Sequence, residues 1–595
     1  MSSPETLCSA FQDIAARQPD LVALRTPGDA VSLRWREYAD RVRGVAGGLA
    51  ALGVARGDTV GIMLSNRPEF HVVDAGALHL GAVPFSVYNT LAAEQLAYVF
   101  ANAGNSVVIT EEQFLPVVRA CGADVTVVCV EDGVEGTMSL RELEGSGAED
   151  FDFEAAWRAV DPEDLATIIY TSGTTGPPKG VELTHKNVLS VADAVKHAFE
   201  IRHGDRVLSF LPSAHIADRV VSHYSSMLFG SVVTSVADPK QLAVGLADCH
   251  PHVFFAVPRV WQKFKLAIDS ALAAEPEKKQ KIAGWAIRTG IKHVKLTLED
   301  KPVPALLKVQ HAIADKLVLS KLRHKLGLDE CRVAVSGAAA IPVETMEFFW
   351  GLGIPVYEVW GMSETAGMGT SCKPGHVKLG TVGVATYGAE VALAEDGELL
   401  VRCASVMRGY RKDPQRTAET VDHDGWVHTG DIGVIDADGF VSIVDRKKEL
   451  IINSSGKNMS PTNIENAIKA ASSVIGQVVA IGDDRPYVTA LVVLDADAAA
   501  GLAAKLGVSD SPSAVAEHEK VRELVAGAVR EGNAKLSRVE QVKRFRILPA
   551  TWEPGGDELT PTLKLRRKPI ARKYTHEIDD LYAESPSPAT VNAGT

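Results

Sequence analysis

The first 160 residues repeat one pattern, an amphipathic helical segment followed by a short apolar run. The segment WREYADRVRGVAGGLAALGV has apolar residues at helical spacing, and the strand-like run TVGIML follows it. The segments EQLAYVFANAG and SVVIT repeat this order, and further apolar runs such as LATIIY, RVLSFLP and HVFFAVP come later. Helix and strand patterns in alternation are typical of a wound α/β sheet. The sequence therefore predicts an α/β protein.

The length of the chain requires several structural units. At 595 residues the chain exceeds what one hydrophobic core organises, and about three to five units are expected. Hydrophobic residues make up 46% and charged residues 23% of the chain, which is ordinary for a globular protein and excludes general disorder. The net charge of −13 argues against a general binder of polyanions, although local basic patches are compatible with it. Nucleic acid is not an expected partner.

The cysteines and the N-terminus indicate a reducing compartment. The seven cysteines are scattered and form no C-x-x-C pair, which argues against a disulfide framework and a Cys-ligated zinc. The first 20 residues lack a basic segment followed by an apolar core, so no secretory signal is predicted. The chain has no uninterrupted apolar run of about 18 residues. We expect a cytoplasmic protein.

The stretch from about Ala271 to Lys325 has a different composition. It carries lysines among apolar residues at helical spacing and is predicted to be a helical excursion from the sheet. Two interpretations stay open at this point. The lysines cover a solvated face of helices that pack on the core, or they belong to a face that contacts a membrane surface.

The residue pattern changes twice in the last third of the chain. After Gly361 the segments are short and β-rich, with Gly and Asp turns, which predicts a small β-barrel or sheet. Beyond Arg446 the pattern becomes α+β. The final residues are small and polar and are expected to be disordered.

The segment YTSGTTGPPKGVELTH, residues 170–185, carries the strongest chemical signal. A buried strand ends there in a run of glycines and hydroxyl residues with one lysine, Lys179. Glycines let successive N–H groups point at one anion, and Ser and Thr hydroxyls donate further hydrogen bonds. The spacing differs from the Walker A pattern. A flexible turn would explain two glycines but not the whole run of phosphate-compatible residues, so a phosphate-binding loop is predicted.

The run TSGTTGPPKG resembles the phosphate loop of the adenylate-forming (AMP-binding) superfamily, which includes acyl-CoA synthetases, luciferases and peptide-synthetase adenylation domains. Six further segments resemble motifs of that superfamily in the same chain order, and together they span nearly all of residues 10–575. These segments are LPSAHIADR (Leu211–Arg219), VSGAAAIP (Val335–Pro342), YEVWGMSET (Tyr357–Thr365), HTGD (His428–Asp431), DRKKELIINSSGKNMSP (Asp445–Pro461) and LTPTLKLRR (Leu559–Arg567).

The resemblance implies a domain organisation. Residues 1–444 would form a large N-terminal domain of two wound α/β subdomains and a small β-barrel. Residues 445–448 would form a hinge with Lys448 as its pivot, and residues 449–585 a smaller mobile α+β lid. Residues 586–595 would be a disordered tail.

The resemblance also implies ATP, Mg²⁺ and CoA as ligands. Glu364 would bind Mg²⁺, and Ser363 or Thr365 would supply a phosphate hydroxyl, which suits the hard oxygen ligands that Mg²⁺ prefers. The residues expected to contact the nucleotide are Thr171, Ser172, Gly173, Thr174, Thr175, Gly176, Lys179, Gly337, Ala338, Tyr357, Trp360, Gly361, Ser363, Thr365, Asp431, Arg446 and Gly456.

Three of the implied roles, those of Asp431, Lys564 and His215, compete with plainer interpretations. Asp431 and Arg446 would contact the ribose, although an Asp in a T-G-D turn is often only a turn former. Lys564 would reach the reacting carboxylate and α-phosphate, whereas a basic run is ordinarily a solvated tail. His215 would form a wall of the carboxylate pocket, and the alternative is a core histidine. Trp360 and Ala338 would flank the adenine.

The overall pattern is most similar to long-chain fatty acyl-CoA synthetases of the bacterial type. It implies activation of a long-chain fatty acid to acyl-AMP with release of pyrophosphate, followed by transfer to CoA. The alternatives are a fatty acyl-AMP ligase that loads an acyl carrier protein, and a CoA ligase for another hydrophobic carboxylic acid. An amino-acid adenylation domain is disfavoured because no G-G-x-S carrier site follows. A catalytically inactive binding module is disfavoured because Lys564 and Glu364 are both present.

Overall fold

The computed structural model describes residues 4–171, 177–454, 457–560 and 563–593. The chain divides into two compact units. The first unit contains residues 1–392, 400–429 and 435–442, and the second unit contains residues 393–399, 430–434 and 443–595. The second unit thus begins two residues before the predicted hinge and also takes two short segments from the β-rich region. The hinge at 445–448 stays a prediction.

The strands are short and mostly buried, as the apolar runs predict. They are β1 (Val22–Arg25), β2 (Ser32–Arg34), β3 (Thr59–Met63), β4 (Val83–Ser86), β5 (Val107–Thr110), β6 (Thr126–Cys129), β7 (Met138–Ser139), β8 (Leu165–Thr171), β9 (Lys179–Thr184), β10 (Arg206–Ser209), β11 (Val232–Ser235), β12 (Val253–Ala256), β13 (Val333–Ser336), β14 (Val356–Trp360), β15 (Thr370–Ser371), β16 (Val384–Ala385), β17 (Ala389–Leu393), β18 (Glu398–Cys403), β19 (Gly409–Tyr410), β20 (Val427–Ile435), β21 (Val441–Arg446), β22 (Ile451–Ile452), β23 (Asn458–Met459), β24 (Ile475–Ile481), β25 (Val488–Leu494), β26 (Val542–Ile547) and β27 (Thr590–Asn592).

The helices alternate with these strands. They are α1 (Leu7–Arg17), α2 (Trp35–Ala51), α3 (Pro68–His79), α4 (Ala93–Ala103), α5 (Leu115–Ala120), α6 (Leu140–Gly145), α7 (Phe153–Arg158), α8 (His185–Ala198), α9 (Ile216–Asp218), α10 (Ser225–Phe229), α11 (Leu242–Cys249), α12 (Pro258–Ala273), α13 (Glu277–Leu298), α14 (Ala305–Ala314), α15 (Ser320–Lys325), α16 (Val343–Leu352), α17 (Pro414–Thr420), α18 (Pro461–Lys469), α19 (Ala496–Leu506), α20 (Pro512–Glu517), α21 (Glu519–Asn533), α22 (Arg567–Lys573) and α23 (Thr575–Tyr582).

Two five-stranded sheets organise the first unit. One has the strand order β4-β3-β5-β6-β7 and is parallel throughout. The other has the order β12-β13-β14-β15-β16 and is parallel from β12 to β14. Parallel strands need crossover connections, and the intervening helices supply them. The predicted α/β class with two wound sheets is confirmed. The β-rich region that was expected to form a small barrel contains a four-stranded sheet of order β17-β18-β20-β21.

The helical excursion predicted from about Ala271 to Lys325 is confirmed as α13 to α15, which together with α12 lie between β12 and β13 in the chain. A π-helical turn, Asp315–Leu319, joins α14 to α15. Helix α13 crosses α16 closely where Gly290 meets Gly351, since a Cβ on Gly290 would lie 2.0 Å from the Gly351 carbonyl oxygen. None of the helices in the described part of the chain is long and apolar enough to cross a bilayer.

The second unit has its own core around the sheet β24-β25-β26-β27. Strands β25 and β26 are parallel, and helices α18 and α21 cover one face of the sheet. Strand β27 pairs antiparallel with β26, with Phe545 opposite Val591. The expectation of a disordered tail is therefore wrong for Thr590–Asn592, because the exposed edge of β26 accepts this short segment as a strand.

Candidate functional site

The predicted phosphate loop connects the two strands of a hairpin. Strands β8 and β9 are antiparallel, and Thr171 at the end of β8 lies opposite Lys179 at the start of β9. Both residues therefore lie at the mouth of the loop. The other predicted loop residues, Ser172, Gly173, Thr174, Thr175 and Gly176, are outside the described residues, as is Gly456.

A third strand brings a tyrosine to this hairpin. Strand β19 pairs antiparallel with β9, and Tyr410 lies opposite Val181. The Tyr410 ring centroid lies 4.9 Å from Lys179 Nζ, within cation–π range. On its other side the Tyr410 hydroxyl donates a hydrogen bond of 2.6 Å to Glu364 Oε1. Tyr410 thus joins the lysine of the phosphate loop to the predicted Mg²⁺ ligand.

Glu364 lies in a tight turn that follows β14. Residues Ser363–Thr365 form a single 3₁₀ turn, and Glu364 is buried with 7% of its surface exposed. Among the described residues Glu364 makes no ion pair, and Met407 N–H donates 2.8 Å to its backbone carbonyl. A buried carboxylate without a cationic neighbour is costly. The turn therefore offers a place for a cation.

The two hydroxyls beside Glu364 have different surroundings. The Thr365 hydroxyl donates to Met362 O at 3.1 Å and accepts from Met362 N at 3.2 Å, so it closes the turn. No described residue is hydrogen-bonded to Ser363 Oγ, which leaves Ser363 as the better candidate for a phosphate contact. Gly361 is required by packing, because a Cβ there would lie 2.5 Å from the Gly367 carbonyl oxygen.

The residues predicted to lie on the adenine side differ in exposure: some are at the surface and one is in the core. Ala338 follows β13, is exposed, and adopts φ +68°, which is unusual for a residue with a Cβ and common at ligand sites. Trp360 is partly exposed at the end of β14. Tyr357, by contrast, is 5% exposed between the rings of Phe199 and Trp350. The structure places the Tyr357 ring in the core and not on a ligand-facing surface.

Gly337 lies beside Ala338 and lets β13 approach β14. A Cβ on Gly337 would lie 2.9 Å from Val359 Cγ2. One residue along from Tyr357, the Glu358 carboxyl is 6% exposed with no hydrogen-bond partner for Oε2 among the described atoms. Burial raises the pKa of Glu358 to about 8. At neutral pH Glu358 is therefore mostly protonated and adds little charge next to the site.

The predicted acyl-side segment lies beside the Glu364 turn. His215 caps the short helix α9, where its Nδ1 accepts from Ala217 N–H at 3.2 Å. The next residue, Ile216, has its side chain 3.5 Å from the position of a Cβ on Gly367. His215 is partly buried. It is therefore neither a plain core histidine nor a surface residue, and its position is compatible with the predicted pocket wall.

A buried ionic network anchors this segment to helix α3. The Arg219 guanidinium, fully buried, pairs with Asp74 at 2.8 Å, and His223 Nε2 lies 2.8 Å from the other oxygen of Asp74. His71 Nδ1 lies 3.1 Å from His223 Nδ1. Burial alone would raise the pKa of Asp74, but Arg219 and His223 hold it below its usual range. An ionised Asp74 can only accept, so Nε2 is the nitrogen from which His223 donates to it.

The remaining predicted nucleotide residues lie in the second unit. Arg446 Nε and Asp431 Oδ1 form an ion pair of 2.8 Å, with Asp431 5% exposed and Arg446 largely exposed. The two residues expected to share the ribose are thus adjacent. Asp431 follows Gly430, which adopts φ +71° in the turn.

The predicted hinge forms a turn with one unconstrained side chain. Glu449 N–H donates to Arg446 O at 2.9 Å, so Lys447 and Lys448 are the central residues of the turn. Lys447 pairs with Asp396 and, at 3.0 Å, with Glu398. Lys448 is exposed and forms no ion pair or side-chain hydrogen bond with any described residue.

Lys564 lies exposed in the second unit, beside the buried Thr560. Its backbone N–H donates to Thr560 Oγ1 at 3.0 Å, and its carbonyl accepts from Thr560 N–H at 2.8 Å. The preceding Leu563 has φ +64°. Thr560 itself is 1% exposed. Thr560 therefore fixes the backbone position of Lys564, which is exposed.

Arg567 ties the lysine loop to the segment after the hinge. Its guanidinium pairs with both oxygens of Glu465, at 2.6 and 2.9 Å, and with Glu449 at 3.1 Å. Burial would lower the pKa of Arg567, but Glu465 and Glu449 raise it above its usual value. Bidentate pairing of this kind fixes geometry as well as adding energy. The loop that carries Lys564 and the residue next to Lys448 thus belong to one connected body.

Sequence reasoning missed Tyr410, Asp74 and Arg567 as site-supporting residues. Tyr410 lies in MRGYRKDP, where a glycine precedes an aromatic residue at a strand end, but no local pattern indicates its contact with Glu364. Arg219 was part of the acyl-side segment without an assigned role. An Asp within an otherwise apolar helix, such as Asp74 in HVVDAGAL, is a usable signal because buried charges need partners.

Two protein-family models match this chain, and together they cover most of it. A model described as AMP-binding enzyme matches residues 11–411, and one described as AMP-binding enzyme C-terminal domain matches residues 448–586. The fatty-acid–CoA ligase fadD11 of Mycobacterium tuberculosis is 54% identical over 455 residues, which cover 76% of this chain and 80% of fadD11. The long-chain-fatty-acid–CoA ligase FadD15 of the same organism is 35% identical over 595 residues, which cover 95% of each chain.

Two solved structures show the same fold. The anthranilate CoA ligase AuaEII in complex with anthranoyl-AMP superposes with a TM-score of 0.73 at 17% identity, covering 96% of this chain and 98% of that one. A fatty acyl CoA synthetase of Mycobacterium tuberculosis superposes with a TM-score of 0.61 at 24% identity, covering 96% and 99%.

Proposed function

Because the chain belongs to the family of AMP-binding enzymes, we propose that it is a long-chain fatty-acid–CoA ligase. It activates a fatty acid with ATP to acyl-AMP, releases pyrophosphate, and transfers the acyl group to CoA. The relative FadD15, which is similar over nearly its full length, supports the assignment of a long-chain acid as substrate and of CoA as acceptor. The peripheral membrane contact suggested by the lysine-rich helices remains a prediction at this point.

The observation that carries the proposal is the line of side chains from Lys179 through Tyr410 to Glu364. It joins a cation at the mouth of a glycine- and threonine-rich loop to a buried carboxylate. Phosphoryl chemistry needs both groups, because positive charge must stabilise the leaving pyrophosphate and a carboxylate must hold a divalent ion. The contacts of Tyr410 with Lys179 and Glu364 cannot be predicted from the residue types or from their separation in sequence. They form only in the folded chain.

Mg²⁺ fits the Glu364 turn. Glu364 is a buried carboxylate without an ion pair among the described residues, one of its oxygens is oriented by Tyr410, and Ser363 adds a neighbouring hydroxyl. Hard oxygen ligands of this kind suit Mg²⁺. When bound, the ion would neutralise charge on the phosphates.

The first step forms acyl-AMP. A carboxylate oxygen of the acid attacks the α-phosphorus of ATP, a new P–O bond forms, and the bond to pyrophosphate breaks. In our proposal Lys179 and Thr171 hold the departing pyrophosphate, while Asp431 and Arg446 hold the ribose. Lys564 reduces the repulsion between the two reacting anions, which makes their close approach possible.

The second step forms the thioester. The CoA thiol loses its proton to solvent, its sulfur attacks the acyl carbon, and AMP leaves with the electron pair of the broken acyl–oxygen bond. Lys564 has no part in this step, so its loop must make room for CoA. We propose that the second unit rotates about the turn at 445–448, as lid domains do in alternating catalysis. The ion pairs of Arg567 support the proposal because they keep the lysine loop and Glu449 together.

The function is tested by a single assay series. We expect pyrophosphate release and CoA-thioester formation with saturated fatty acids, rising with chain length into the long-chain range. Thioester formation with an acyl carrier protein in place of CoA would contradict the CoA assignment. A preference for an aromatic or short acid would contradict the substrate class while leaving the adenylation chemistry intact.

Removing the Tyr410 hydroxyl tests the geometry of the Glu364 turn. We expect Tyr410→Phe to raise the Mg²⁺ concentration for half-maximal pyrophosphate release by about tenfold, since a hydrogen bond to a charged group contributes roughly 1.5 kcal/mol. The KM for the fatty acid should stay unchanged. Glu364→Gln should have a larger effect in the same direction.

Tyr387→Phe is the matched control for this prediction. Tyr387 is 61% exposed, and its ring stacks on that of His197. Its Mg²⁺ titration should coincide with that of the native enzyme. If Tyr410→Phe altered the KM for the acid and left the Mg²⁺ titration unchanged, Tyr410 would not act through Glu364.

A further inference from the structure

Helix α14 and the π-helical turn after it expose a stripe of large apolar side chains. Leu306, Val309, Ile313 and Leu317 are exposed to 70, 57, 47 and 51% of their full surface. Their spacing of three and four residues places them along one side of the helix. Single exposed apolar residues are normal on a protein surface, but a continuous stripe marks a site of interaction. We call these four residues the α14 stripe.

The stripe does not belong to the core. The buried residues Leu307 and Ala314 lie about 100° from the stripe around the axis of α14, and it is their side that packs on the protein. Helix α14 lies against α13, where the rings of His293 and His311 stack at 4.1 Å. The helix is thus already anchored by its inner face. The packing of the helix therefore does not require apolar residues on its outer face.

Positive charge surrounds the α14 stripe. Residues 301–325 contain six basic side chains and a single acidic one, Asp315, and Arg323 binds Asp315 at 2.7 Å. The exposed Lys308, Lys316 and Lys321 form no ion pair with a described residue. The whole chain carries a net charge of −13, so this concentration of lysines runs against the average of the molecule.

The combination identifies the partner as a lipid surface. Apolar side chains flanked by lysines are what an interfacial helix needs, since the apolar face enters the acyl boundary and the lysines meet anionic headgroups. A second copy of the chain is disfavoured because two like-charged stripes would repel each other. A nucleic acid is disfavoured because the stripe is aliphatic and has no aromatic side chain for base stacking.

We propose that the α14 stripe, with Lys308, Lys316 and Lys321, docks the protein on an anionic bilayer. The proposal goes beyond the catalytic function and stands without it. Combined with the proposed function, it brings the enzyme to the phase in which long-chain fatty acids dissolve. It also gives a role to Lys308, Lys316 and Lys321, whereas Lys279, Lys281 and Lys295 of the same helical excursion form ion pairs with acidic residues.

Vesicle co-sedimentation of the full chain tests the proposal. We expect binding to phosphatidylcholine vesicles that contain phosphatidylglycerol, weaker binding to phosphatidylcholine alone, and a decrease at high salt. Leu306→Ser/Val309→Ser/Ile313→Ser should weaken binding by about tenfold or more. Lys308→Glu/Lys316→Glu/Lys321→Glu should weaken it by at least as much, because each surface lysine contributes roughly fivefold.

Two matched triple variants control for charge and hydrophobicity. Lys240→Glu/Lys505→Glu/Lys520→Glu changes the net charge equally at exposed lysines outside the stripe. Val244→Ser/Val434→Ser/Val539→Ser removes exposed apolar side chains of 61, 54 and 42% exposure elsewhere. Both controls should bind vesicles within twofold of the native protein, and all four variants should keep its thermal unfolding midpoint.

Three outcomes would overturn the proposal. The native protein shows no preference for anionic vesicles, or the stripe variants bind as it does. Alternatively, sedimentation velocity shows a native dimer that Leu306→Ser/Val309→Ser/Ile313→Ser dissociates, in which case the stripe is an interface between copies. Vesicle binding is measured without catalysis. The result can therefore be interpreted even if the protein lacks the proposed ligase activity.

Discussion

We expect Lys564→Ala to reduce acyl-AMP formation by roughly a hundred- to a thousandfold while thioester formation from supplied acyl-AMP stays near the native rate. The ammonium of Lys564 is proposed to lie between a carboxylate and a phosphate, where its loss leaves the approach of two anions uncompensated. No equivalent charge is needed when neutral acyl carbon meets the CoA sulfur. The two half-reactions, followed separately as pyrophosphate release and as thioester absorbance, should therefore diverge.

Lys568→Ala is the control for this prediction. Lys568 belongs to the same basic run, is exposed, and makes no ion pair with a described residue. Its removal changes the charge by the same amount and leaves the hydrogen bonds between Thr560 and the backbone of Lys564 in place. We expect both half-reactions of Lys568→Ala within threefold of native rates. Equal losses in both half-reactions of Lys564→Ala would refute the role of this lysine in the first step alone.

The second large effect is expected at the proposed hinge. Lys448→Pro should lower thioester formation by at least about tenfold, while pyrophosphate release stays near normal or stops after one turnover. Proline fixes φ near −65° and drives the preceding Lys447 towards extended conformations. The turn closed by Glu449 N–H and Arg446 O therefore loses the dihedral freedom that rotation between the two half-reactions requires.

Lys448→Ala separates the backbone from the side chain. Alanine removes the ammonium but keeps the freedom of φ and ψ, and the Lys448 side chain has no partner among the described residues to lose. We therefore expect near-native thioester formation in Lys448→Ala. Unimpaired thioester formation in Lys448→Pro would show that rotation, if it occurs, uses other residues. Stopped-time measurement of acyl-AMP and acyl-CoA in both variants distinguishes these results.

Several parts of the molecule follow from local sequence alone. Alternating helix and strand periods predict the wound sheets, because the side-chain periods of helix and strand differ. The glycine- and hydroxyl-rich run after LATIIY predicts a phosphate loop, since its chemistry resides in consecutive residues. The order of the motifs predicts the succession of the two units. Local patterns also predict the helical excursion at α13 to α15, but not which of its faces is covered.

The tertiary structure decides the contacts between distant segments. Tyr410 and Glu364 are 46 residues apart, and Arg567 and Glu449 are 118 apart, yet each pair is hydrogen-bonded. The same holds for Tyr357, which the resemblance of its segment to a family motif assigns to the nucleotide, and which packs in the core between Phe199 and Trp350. Strand β27 forms from a polar tail because β26 offers an unpaired edge. A periodic pattern constrains one segment, whereas pairing, burial and exposure depend on which other segment packs against it, and that is determined only when the whole chain has folded.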